Sequence, residues 1–72
     1  MYTIRLINDD TMAEATIKQN KKTTSLKVTA GANMKVKTSF TDKTANEKFR
    51  TLSFLTASLI NEGFIIDELL IR

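Results

Sequence analysis

Apolar and polar residues alternate over the first forty positions, and then the period changes. Tyr2, Ile4 and Leu6 alternate with Thr3, Arg5 and Ile7, which is the period-2 pattern of a strand. Asn8-Asp9-Asp10 supplies turn chemistry. Ala13, Ala15 and Ile17 alternate with Glu14, Thr16 and Lys18, predicting a second strand. Met12-Ala13-Glu14-Ala15 also suits a helix by propensity, but the short turns on either side favour a strand over 11–18. Gln19-Asn20-Lys21-Lys22 reads as the next turn. Leu26, Val28 and Ala30 then alternate with Ser25, Lys27 and Thr29, and Gly31 allows a tight reversal. Met34, Val36, Thr38 and Phe40 alternate with Lys35, Lys37 and Ser39 to complete a four-strand meander.

After Phe40 the spacing becomes helical. Thr44-Ala45-Asn46-Glu47 fits a capping box, with the Thr44 hydroxyl at the N-cap and Glu47 reaching back from the first turn. Asp42 just upstream also suits a helix N-terminus. Between Ala45 and Glu62 the residues Ala45, Phe49, Leu52, Thr56, Leu59 and Ile60 form one apolar stripe, and Gly63 is placed to end the helix. Phe64 to Ile71 reads as a closing strand, with Asp67-Glu68 as the place where a bend interrupts it. A strict alternation there points Phe64, Ile66 and Leu70 one way and Ile65, Leu69 and Ile71 the other. A strand apolar on both faces is either central in a covered sheet or paired across a subunit boundary.

The pattern predicts an α+β two-layer sandwich in a single small domain spanning 1–72. It comprises an antiparallel meander of about four strands, one helix at about 45–62 and a closing C-terminal strand. One amphipathic helix covers only one face of such a sheet. The portion from Leu26 to Ile71 resembles the general plan of β-grasp domains. The resemblance lies in layout and brings no motif, so it implies no activity.

Composition narrows the chemistry. The 72 residues include no Cys, His, Trp or Pro and two Gly. No disulfide framework, thiolate nucleophile, imidazole base or zinc site of the usual kind is available. The two glycines, Gly31 and Gly63, make no phosphate loop. Asp9 and Asp10 fall in a turn, and Asp67 and Glu68 are adjacent, so neither pair suits acid–base work in a cleft. The expectation is a non-enzymatic binding module with no cofactor and no metal. No apolar run reaches the roughly 18 residues of a membrane span, and none resembles a signal peptide. The expected location is cytoplasmic, away from membranes. Size and composition suit an accessory protein of a phage or plasmid.

Charge supplies a first candidate surface. The net charge is +3. Lys18, Lys21, Lys22, Lys27, Lys35 and Lys37 lie in a stretch without an acidic residue. On the strand reading Lys18, Lys27, Lys35 and Lys37 share one sheet face with Thr16, Thr29 and Ser39, and Lys21 and Lys22 sit at its rim. Ammonium and hydroxyl groups together suit phosphate oxygens, so nucleic acid is one expected partner and an acidic protein another. Lysines on an outer face also keep a sheet soluble. The absence of aromatics in that register leaves no platform for base stacking.

The second candidate surface is apolar. Phe54 lies nearly opposite the helix stripe at 100° per residue. Together with Ile65, Leu69 and Ile71 it forms a predicted interface, through which the chain would associate as a homodimer or with another protein.

Overall fold

The computed structural model describes residues 1–30 and 34–71, and the side chains within that range except those of 30 and 34–37. The predicted reversal at Gly31 lies outside the described residues. The elements are β1 (Tyr2–Asn8), β2 (Ala13–Gln19), β3 (Thr23–Ala30), β4 (Met34–Thr41), α1 (Ala45–Asn61) and β5 (Ile65–Ile71). Residues 13–19 are a strand, as the short flanking turns require. Gln19 belongs to that strand and not to the turn after it.

All five strands join one antiparallel sheet in the order β4-β3-β2-β1-β5. The first four form the meander. The fifth returns across the whole chain to pair with β1, which makes it an edge. The likeness to the β-grasp plan therefore stops at element order, because the closing strand touches neither strand of the 26–40 hairpin. The alternative of a central closing strand is likewise overturned.

One sheet face is the core. Ile4 and Leu6 from β1, and Ala13, Ala15 and Ile17 from β2, are buried against Leu55, Leu59 and Phe64, with Leu26, Val28 and Leu52 at the margin. The small Ala13 and Ala15 let the helix come close over the middle of the sheet, where bulk from both layers would otherwise collide. The closest backbone approach of α1 is to β2 and β3.

The helix is fixed at both ends. Thr44 has extended dihedrals, and its Oγ1 accepts the Glu47 N–H at 3.1 Å. The reciprocal arm reaches one residue further than a capping box predicts, because Glu47 Oε2 accepts from the Lys43 N–H at 2.7 Å. At the far end Gly63 has φ +100°. Its N–H donates to the Ile60 carbonyl, and Phe64 N–H donates to the Leu59 carbonyl, both at 3.0 Å. This is the paired closure that glycine permits, and it delivers Phe64 into the core beside Leu59.

The helix faces the sheet along Leu52, Leu55 and Leu59, so the predicted stripe holds at Leu52 and Leu59 and fails at Phe49 and Ile60. Phe49 is 71% exposed and Ile60 50% exposed, while Leu55, absent from that stripe, is buried. At 100° per residue the helix is turned by about 60° from the orientation its hydropathy suggests.

Candidate interaction surfaces

A polar attachment sets the helix rotation. Gln19, at the end of β2, donates its Nε2 to Thr24 Oγ1 at 2.8 Å and to the Lys48 carbonyl at 2.9 Å. The Thr24 hydroxyl donates to Asp42 Oδ2 in a short hydrogen bond. Thr51 Oγ1 lies 2.9 Å from both Asp42 Oδ1 and the Glu47 carbonyl. Gln19, Thr24 and Asp42 are all buried. Each polar atom finds a partner, which is the condition for such a cluster to specify structure instead of weakening it. The cluster pulls the Thr51 side of the helix toward the β3–β4 flank. Phe49 and Ile60, on the other side of the helical wheel, are thereby turned toward the β1–β5 flank.

The direction of the helix follows from its two anchors. Lys48 is held by Gln19, whose strand partner is Tyr2, itself opposite Ile71. The Glu62 carbonyl accepts from Asn8 Nδ2 at 3.3 Å, at the other end of β1. The helix therefore runs in the same direction as β1 while packing over β2 and β3.

β5 carries a bulge. Arg5 pairs with Glu68 and Leu6 pairs with Ile66, so Asp67 is the extra residue. This changes the alternation predicted from sequence. Ile66, Leu69 and Ile71 lie opposite Leu6, Ile4 and Tyr2, on the helix side of the sheet. Ile65 and Leu70 lie opposite Ile7 and Thr3, on the outer side. All seven residues of the strand are exposed.

The predicted interface set is thus divided. Leu69 and Ile71 share the helix side. Ile65 is on the outer face, and Phe54, 69% exposed, is on the far flank of the helix beyond Thr51. Ile66 joins Leu69 and Ile71 on the helix side, while Ile60 lines an open surface of the helix with Phe54, Ala57, Ser58 and Asn61. Sequence inspection assigned Phe49 and Ile60 to the core, but they are 71% and 50% exposed.

The outer face of the sheet is divided by charge. Lys18 and Lys27 are exposed, and together with Thr16, Ser25 and Leu26 they line a shallow depression of about 360 Å³. The backbone register sets position 37 opposite Lys27 and position 35 opposite Thr29. Lys21 and Lys22 are exposed in the turn between β2 and β3. Toward β1 and β5 the face becomes acidic. Arg5 lies 2.9 Å from Glu14 and 3.8 Å from Asp67. The hydrogen bond to Glu14, its charge and that of Asp67 hold the Arg5 guanidinium still more firmly protonated. Lys18 and Lys27 therefore share their layer with Glu14, Asp67 and Glu68.

Among the described residues no group of three or more acidic side chains is arranged to hold a metal ion. Among them, too, no helix is long and apolar enough to cross a membrane. Comparison with known proteins finds no matching family model, no matching curated protein and no matching solved structure.

Proposed function

We propose that this chain is a non-enzymatic protein-interaction module that works through its edge strand β5. The observation that carries the reading is the edge strand: every residue from Ile65 to Ile71 is exposed, and five of the seven are Ile or Leu. An open apolar edge of this length favours association unless it is guarded. Among the described residues the guard is the acidic bulge, which faces the outer side.

The test is the combined substitution Ile66→Lys and Leu69→Lys, compared with the native chain by denaturant unfolding in dilute solution. A surface kept for a partner tolerates both changes at a cost below about 1 kcal/mol, as exposed positions do. A loss of roughly 3 kcal/mol or more places these side chains in the chain's own core and overturns the reading.

A second reading is supported by Lys18 and Lys27 beside the hydroxyls of Thr16 and Ser25. This arrangement suits electrostatic, sequence-tolerant binding of nucleic acid. Binding of random duplex DNA that weakens steeply with salt supports it. No binding at low salt removes it.

A further inference from the structure

Resting on the interaction reading above, we infer that the partner on β5 is a second copy of this chain, joined by antiparallel pairing of the two β5 strands about a two-fold axis at Leu69. Two observations lead there. The helix-side row reads Ile66, Leu69, Ile71, which is aliphatic throughout and symmetrical about its centre. A two-fold partner presents the same row reversed, so Leu69 meets Leu69 of the partner copy and each Ile66 meets the opposite Ile71. An isologous interface requires this self-match.

Charge selects the register. A pairing centred on the bulge would place two copies of Asp67 and Glu68 side by side, four carboxylates in one spot. Like charges directly opposite are unfavourable. The pairing centred on Leu69 sets each acidic bulge across from the partner copy's Leu70 and keeps the two bulges apart. It also keeps all six aliphatic side chains of the helix-side row on one face.

The five apolar side chains of β5 are between 41% and 65% exposed, and pairing of the two strands shields the helix-side row of both copies from water. The product is a continuous ten-stranded sheet with both helices on one face.

The chain has no native cysteine, which gives a direct test. Leu69→Cys puts one thiol from each copy at the axis. Directly opposed strand residues have Cα atoms about 4.5–5.5 Å apart, within disulfide range. Ile65 is three positions from the axis, so Ile65→Cys thiols are separated by roughly 20 Å. The native protein is first sized by light scattering over a dilution series. Leu69→Cys and Ile65→Cys are then oxidised mildly at a concentration where the native chain is dimeric.

The expected results are twice the 8.1 kDa chain mass and disulfide formation at least tenfold faster for Leu69→Cys than for Ile65→Cys. Hydrogen exchange will show protection of successive amides along β5. A native chain that stays monomeric throughout overturns the second copy. So does cross-linking at equal rates. If the Ile66→Lys, Leu69→Lys variant keeps native stability in dilute solution, the surface still belongs to some other protein partner. If that variant unfolds, both readings fall together.

Discussion

The two halves of the sheet are built differently. The β2–β3 half is closed: Ile17 and Ala15 are fully buried beneath the helix, and the Gln19–Thr24–Asp42–Thr51 cluster ties the helix start to the strands. The β1–β5 half is open along its outer strand, with large aliphatics in contact with water. The closed half makes the core together with Ile4 and Leu6 of β1. The open half has more apolar surface than the fold uses, and its acidic residues are all kept to one side. Buried packing and exposed apolar surface thus fall in separate parts of a very short chain.

Substitutions can sharpen that comparison or break it. The largest expected effect is in the closed half, where Leu55→Ala should cost about 3 kcal/mol in denaturant unfolding, from lost burial and a cavity between helix and sheet. Asp42→Ala comes next, at roughly 2 kcal/mol, because the Thr24 hydroxyl is left without its buried acceptor. The open half should respond weakly. Leu69→Ala should change the unfolding free energy in dilute solution by less than about 1 kcal/mol, while shifting the midpoint of any association. A large loss at Leu69 in dilute solution would erase the distinction between the halves. Smallest of all, Lys18→Gln with Lys27→Gln should alter stability by no more than about 0.5 kcal/mol. If the outer face takes nucleic acid, the pair should also lower the salt slope of DNA binding by nearly two.

Much of the architecture was legible in the alternation of residues 2–40 and in the change of period after Phe40, because side-chain direction has period 2 in strands and 3.6 in helices. The caps at Thr44 and Gly63 were legible for the same local reason. The helix rotation was not. Two apolar rows compete on α1, Phe49 with Ile60 and Leu52 with Leu55 and Leu59, and hydropathy ranks them alike. What decides is a long-range polar attachment between Gln19, Asp42 and Thr51, which no local pattern encodes. The division of Ile65 from Leu69 and Ile71 was hidden similarly. One extra residue at Asp67 reverses the direction of everything beyond it. It sits there because both acids of β5 share the side of the sheet where Arg5 lies.

The path of the chain also has a kinetic consequence. Neighbouring strands of the meander are only a few residues apart in sequence, so those pairings close cheaply. The seam between Ile7 and Ile65 joins positions at opposite ends of the sequence, and loop-closure entropy disfavours forming it early. Replacements within 65–71 should therefore accelerate unfolding while leaving the refolding rate nearly untouched. Until that seam closes, β1 itself is the free edge, and a newly made chain exposes it before its last strand has arrived.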